Sequence, residues 1–320
     1  MLPNNEASKG PAPQRETRPL RYVSLMLSGV MISALAACSG ATTNSAANNP
    51  AAIGATASTA VVASAAASTA PPKVAAGRTA RASDTSAPTP APAQGMTQKF
   101  DATFTGSQLN TQVWDTCYPW ASGGCTNFGN TDDPDLEWYQ APQDQVGGGA
   151  LHLVAQREPT EGLNEQGAGK EYACRSGMVT TYPSLRFEYG YVQVTAQIPF
   201  GKGLWPAFWL AAANDKWPPE VDMLEHWGSQ ATGSVYLHPL TGARQGGSVS
   251  MPGLATGWHT FGLYWSKTTL AWYYDGVQVL STSVGVPQQD MYFIANLADD
   301  NTSVGSCSGS LLIKSVEVWQ

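Results

Sequence analysis

A chain of 320 residues with a formal net charge of −7 and only 13% charged residues carries 11 Trp, 12 Tyr, 8 Phe and 32 Gly. The acidic balance excludes a nucleic-acid binder, because phosphate binding needs a basic footprint. The Trp, Tyr and Gly load excludes a helical bundle, whose faces favour Ala, Leu, Glu and Lys.

The averages conceal a division. Residues 1–97 hold seven Lys/Arg against three Asp/Glu, or +4, whereas residues 98–320 hold ten against twenty-one, or −11. Every Trp, every Phe and every Tyr except Tyr22 lies after residue 97. The first 97 residues therefore offer almost nothing to bury in a core. The working domain is expected over residues 98–320.

In chain order, Arg15, Arg18 and Arg21 precede an apolar run over 22–37 that ends in Leu35-Ala36-Ala37 and is followed by Cys38. A basic segment, an apolar segment and small residues before a cut make a secretory signal over residues 1–37. The run is shorter than the roughly 17–25 residues of a membrane span. Leu-Ala-Ala-Cys resembles the lipobox of bacterial lipoproteins, which implies cleavage before Cys38 and lipid attachment to it. Membrane contact is then through that lipid alone, and the expected location is the bacterial outer membrane or cell surface. Residues 38–97 are rich in Ala, Ser, Thr and Pro, with too little apolar bulk to offset their ordering entropy, and read as a disordered tether. Sixty such residues reach about 40–45 Å.

From residue 98 onward the pattern is period two, punctuated by Gly, Pro, Asn and Asp, which predicts strands. Residues 150–156, 186–198, 258–266 and 311–319 read this way. Asp275-Gly276, between apolar runs over 269–274 and 277–281, is a hairpin signal, since both residues tolerate positive φ. The fold class is all-β, an antiparallel sandwich or barrel. In an oxidising compartment Cys117, Cys125, Cys174 and Cys307 suggest two disulfides, with three pairings open. The short Cys117–Cys125 loop favours that pair, leaving Cys174 with Cys307. No C-x-x-C or paired-His spacing supports a metal site.

The chemistry is concentrated in Glu220-Val-Asp222-Met-Leu-Glu225. On a strand Glu220 and Asp222 share a face, whereas strict alternation turns Glu225 away. One extra residue, a β-bulge, returns Glu225 to the other two and keeps Val221, Met223 and Leu224 toward a core. Crowded carboxylates raise one another's pKa, which lets one stay protonated beside an ionised neighbour, the pairing glycoside hydrolysis requires. A solvated strand face or a Ca²⁺ ligand cluster would explain the short pattern as well.

The same run, preceded by Gly203-Leu-Trp205-Pro-Ala-Phe-Trp209-Leu210, resembles glycoside hydrolase family 16, in its laminarinase-like branch. Tyr189-Gly190 upstream, and Trp258-His259-Thr260-Phe261-Gly262, Tyr273-Tyr274-Asp275-Gly276 and Met291-Tyr-Phe-Ile-Ala-Asn296 downstream, follow in the family's order. The resemblance implies a jelly-roll of two antiparallel sheets with a concave substrate cleft. It also implies a retaining endo-β-glucanase acting on β-1,3 or mixed β-1,3/1,4 glucan, with Glu220 the nucleophile, Asp222 the assisting carboxylate and Glu225 the acid/base. Trp205 and Trp227 become candidate sugar platforms, His238 a residue near Glu225, and Asn296 a cleft candidate. No cofactor is required, a structural Ca²⁺ is not indicated, and a monomer is expected. The alternatives are an endoglycanase or transglycosylase acting on a bacterial exopolysaccharide, and a non-catalytic lectin. The domain's −11 weighs against anionic polymers. Two departures bear on subsites: Gln193 and Thr195 stand where the family commonly has Glu and Arg, and Asp299-Asp300-Asn301 stands where it has a glycine pair.

Overall fold

The computed structural model describes residues 89–121, 125, 136–164, 167–227, 231–299 and 307–320. The expected signal segment, Cys38 and the tether as far as residue 88 lie outside them. Among the described residues the only helical elements are two 3-10 turns, Ala91–Ala93 and Ala141–Gln143, and the rest of the regular structure is strand. The first turn falls inside the stretch expected as tether. Ala93 is fully buried beside Tyr191 and Trp319, and Thr97 exchanges backbone hydrogen bonds of 2.7 and 2.9 Å with Gln320. The folded unit thus begins before residue 97.

Two large sheets face each other. One runs in the order Gln245–Ser250, Thr232–His238, Glu220–Glu225, Leu204–Ala212, Met291–Asp299, Met178–Thr180, all antiparallel. The other has ten strands, with Ser308–Trp319 at its centre, pairing with Gln98–Thr103, Ala150–Gln156 and Gly190–Gln197. The expectation of wholly antiparallel sheets fails in one place, where Glu137–Tyr139 runs parallel to Cys174–Ser176. A separate two-stranded hairpin, Thr160–Leu163 with Gly169–Tyr172, packs near Trp138, against which a side chain at Gly162 would collide.

Alternation explains the layers. Val192, Val194 and Ala196 of one strand, and Leu151, Leu153 and Ala155 of another, enter the core between the sheets. In Ser308–Trp319 the residues entering the core between the sheets are Leu311 and Ile313, then Val316 and Val318, a change of parity produced by a register shift between Ile313 and Ser315. The extra residue keeps both halves of the strand on the core. Asp275 and Gly276 take φ of 48° and 75°, as the two-residue turn between Leu270–Tyr274 and Val277–Thr282 requires. Gln193 and Thr195 alternate away from the core on the large sheet, the layer opposite the acids. Their departure from the family pattern therefore falls on the outer face and not in a subsite.

Cys174 and Cys307 form a disulfide across 133 residues. Cys117 and Cys125 do not: both are thiols, hydrogen-bonded to one another, and Cys125 Sγ also donates to the Thr116 carbonyl at 3.0 Å. The expected short-loop bridge is a thiol–thiol contact.

Candidate active site

The acid strand Glu220–Glu225 lies in the middle of the six-stranded sheet. Toward Leu204–Ala212, Glu220 stands opposite Ala211, Asp222 opposite Trp209 and Glu225 opposite Ala207, with a register shift between Phe208 and Trp209. Toward Thr232–His238, the same acids meet His238, Tyr236 and Ser234, with the shift between Asp222 and Glu225. The bulge inferred from parity is therefore present, and Val221, Met223 and Leu224 are all buried in the core. Small partners, Ala207, Ala211 and Ser234, leave space above Glu220 and Glu225, which remain half-buried, while Asp222 between them is 4% exposed.

The opposite sheet reaches the acid strand through the core. Trp272, wholly buried, donates its indole N–H to the Asp222 carbonyl at 2.8 Å. The acid strand is thus fixed from behind, through the core. On the open side, Trp217 Nε1–H donates to Glu220 Oε2 and Trp205 Nε1–H to Glu225 Oε1, each at 3.2 Å. His238 Nε2 is 3.6 Å from Glu220 Oε1 and 3.4 Å from Asp222 Oδ2. The expectation that His238 sits near Glu225 is corrected, because antiparallel register places it opposite Glu220.

Burial is the first cause raising all three carboxyl pKa values. For Glu220 and Glu225 the next is the Asp222 charge; His238 and the Trp217 N–H oppose the rise in Glu220, and the Trp205 N–H and Arg244 oppose it in Glu225. Asp222 is pushed up to about 8 by burial, against the pull of Arg244. Burial and mutual repulsion thus both favour a proton held within the cluster. Burial lowers the His238 pKa and Arg244 lowers it further, against the pull of Glu220. Among the described residues, Glu220, Asp222 and His238 form the one group with donor atoms mutually within 4.8 Å that would suit a metal ion, and they are the acid cluster itself.

Aromatic side chains flank the acids. Trp205 and Trp227, both half-buried, have ring centroids 5.5 Å apart and planes tilted by 30°. Trp209 shares the face of Trp205, four residues on, and packs 6.1 Å from Tyr118 and 6.2 Å from Trp120, themselves stacked at 4.6 Å. Asn296, expected in the cleft, is only 6% exposed and supports Trp209 instead. Its Oδ1 accepts the Trp209 Nε1–H at 2.9 Å, and its Nδ2 donates to Tyr139 OH at 3.1 Å. Tyr139 in turn donates to the buried Glu137, whose Oε2 also accepts the Asp299 N–H at 3.1 Å. Trp209 and Tyr236 were readable from parity with Trp205 and His238. The Asn296–Tyr139–Glu137 chain spans well over a hundred residues of sequence and leaves no local signal.

Fold and site together define a two-sheet jelly-roll whose inner sheet carries a bulged triad of acids between tryptophans. The chain belongs to glycosyl hydrolase family 16, whose family description, Glycosyl hydrolases family 16, matches residues 135–300. It is similar to two proteins of Rhizobium meliloti (strain 1021). With Endo-1,3-1,4-beta-glycanase EglC it is 31% identical over 63% of this chain and 46% of EglC; with Endo-1,3-1,4-beta-glycanase ExsH it is 32% identical over 67% of this chain and 48% of ExsH. The chain thus spans about half the length of the curated relatives it matches. Among solved structures, the endo-beta-1,3-glucanase from Pyrococcus furiosus superposes with a TM-score of 0.61 at 22% identity, over 70% of this chain and 94% of that one, a likeness of fold.

Proposed function

We propose that the chain is a retaining endo-β-glucanase cleaving β-1,3 or mixed β-1,3/1,4 glucan by double displacement. The observation that carries the reading is the bulge in Glu220–Glu225, which brings two half-open glutamates and a buried aspartate to one face. Glu225, kept protonated by burial and by the Asp222 charge, donates its proton to the departing glycosidic oxygen. Glu220, whose anion is favoured by the Trp217 N–H and by His238, attacks the anomeric carbon and forms a glycosyl ester. Glu225, now ionised, takes a proton from the incoming water, which displaces Glu220 and restores both groups. Asp222 holds the shared proton between the two states, and Trp205, Trp209 and Trp227 offer flat apolar faces to sugar rings. Relatives named as endo-1,3-1,4-beta-glycanases support the linkage class.

Release of reducing ends from a panel of β-glucans, with Glu220→Gln and Glu225→Gln in parallel, tests this. Cleavage by the unaltered chain and its loss in both variants is expected. Variants as active as the parent, or no cleavage of any glucan, refute it.

We also propose that the domain acts as a monomer on the outside of a bacterial cell, with residues 1–37 a signal, Cys38 lipid-modified and the following segment a tether. The support is the Leu-Ala-Ala-Cys sequence and the apolar run before it. Labelled palmitate should enter the parent and not Cys38→Ala; equal labelling of the two refutes the anchor.

A further inference from the structure

The acid-lined face also carries a cation whose donors are free. Arg244 precedes the edge strand Gln245–Ser250 and lays its guanidinium over the ring of Tyr236, Cζ lying 4.2 Å from the ring centroid. Tyr236 stands opposite Asp222 across the strand pair, and its ring is 6.4 Å from that of His238, which touches both Glu220 and Asp222. The guanidinium is close enough to the cluster to hold down the carboxyls of Asp222 and Glu225 and the imidazole of His238. It nevertheless makes no ion pair or hydrogen bond with any described residue, and it is exposed.

The backbone two residues on is tightly constrained. Gly246, paired with Tyr236, has φ of +104°, and a Cβ at that position would collide with the Val235 carbonyl oxygen. Only glycine serves where the chain turns in behind Arg244. A guanidinium is a planar fork whose paired N–H groups match the two oxygens of an anion. Sugar hydroxyls do not need that fork. An acidic group does, because the net charge of residues 98–320 is −11 and would otherwise repel it.

We propose that Arg244 is a specificity residue that pairs with an acidic substituent, a carboxylate or a sulfate ester, carried on a sugar bound beside the catalytic acids. This rests on the glycan-hydrolase reading and revises the expectation that the domain's overall charge disfavours anionic polymers. A single cation over the cleft floor overrides the average at one subsite, so the preferred glycan is one whose acidic groups are sparse rather than one charged on every residue.

The test is calorimetric binding to the full chain carrying Glu220→Gln, which removes turnover, with and without Arg244→Met. The probes are β-linked oligosaccharides of equal length that are neutral, that carry one uronate, or that carry one sulfate ester. The ratio of acidic to neutral affinity should fall about tenfold on Arg244→Met, as loss of a charge-assisted pair predicts, and should shrink in high salt. A fall confined to the uronate or to the sulfate probe names the group. An unaltered ratio, including equal weakening of neutral and acidic probes, overturns the proposal. Reducing-end release from neutral glucan by the unaltered chain is recorded separately. Failure there sinks the glucanase reading and leaves the binding comparison standing.

Discussion

Replacing Trp272 by Phe asks whether the bulge in the acid strand is held through the core. The indole N–H meets the Asp222 carbonyl at 2.8 Å in a wholly buried setting, so removing the N–H takes a hydrogen bond from a buried carbonyl. Leaving a buried carbonyl unsatisfied costs about 1–3 kcal/mol, and the smaller ring adds a packing loss of about 1 kcal/mol. The expected destabilisation is about 2–4 kcal/mol in urea unfolding. A control of the same chemistry stands in the same core: Trp265, 2% exposed, donates to the Pro287 carbonyl at 3.1 Å, away from the acids. Trp265→Phe should lose similar stability. Only Trp272→Phe should lower kcat, by about 10–100-fold, because a small displacement of Glu225 relative to Glu220 spoils in-line proton donation. Both are measured as kcat on a glucan at a temperature where both variants are folded. If kcat falls equally in the two, or in neither, the bulge is not positioned by Trp272 and the reasoning fails.

Three further outcomes are expected. Trp217→Phe removes a donor that favours the Glu220 anion, so the acid limb of the kcat/KM profile should move to higher pH and kcat/KM should drop about tenfold at neutral pH; a superimposable profile contradicts this. Burial holds the Glu137 carboxyl up at about 7, against an ordinary 4.5, so the folded state binds its proton more tightly than the unfolded state does. That stabilisation is complete below pH 4.5 and is lost as the pH rises through 7. The stability of Glu137→Gln relative to the parent should therefore rise by about 3 kcal/mol across the window, and denaturation curves with a pH-independent difference would reject the assignment. Cys174→Ser opens a loop of 133 residues and should cost up to about 5 kcal/mol of stability in non-reducing denaturation, with a loss below about 1 kcal/mol speaking against a formed bridge.

The sequence exposed the chemistry because that chemistry sits on a strand. Parity put Glu220 and Asp222 on one face, and the run of Val221, Met223 and Leu224 demanded a bulge before Glu225, which is where the register shifts. The Asp275-Gly276 turn was equally plain, since its φ requirements are local. His238 was misassigned because alternation gives the face of a residue but not its row, and the row is set by pairing with another strand. The same blindness to partners hid the Trp209–Asn296–Tyr139–Glu137 chain and the Trp272 bond across the core. Cys174 and Cys307 were paired by elimination, and they are bridged, although the premise that Cys117 and Cys125 are joined is not met. At the domain edge, composition placed the boundary at residue 97, whereas one small residue, Ala93, fits between Tyr191 and Trp319 and carries the chain into the fold earlier.

The placement of Ser308–Trp319 has a consequence for the order of events during synthesis. This last strand is the centre of the ten-stranded sheet and touches the first strand, Gln98–Thr103, as well as Ala150–Gln156 and Gly190–Gln197. A nascent chain that has not yet reached Ser308 has hydrophobic strands with no common neighbour to close upon. The domain therefore cannot complete its fold vectorially, and its earlier segments wait for Ser308–Trp319 before long-range pairing can stabilise them. A chain truncated before Ser308 should remain protease-sensitive however long it is left to fold, even though it keeps all three acids.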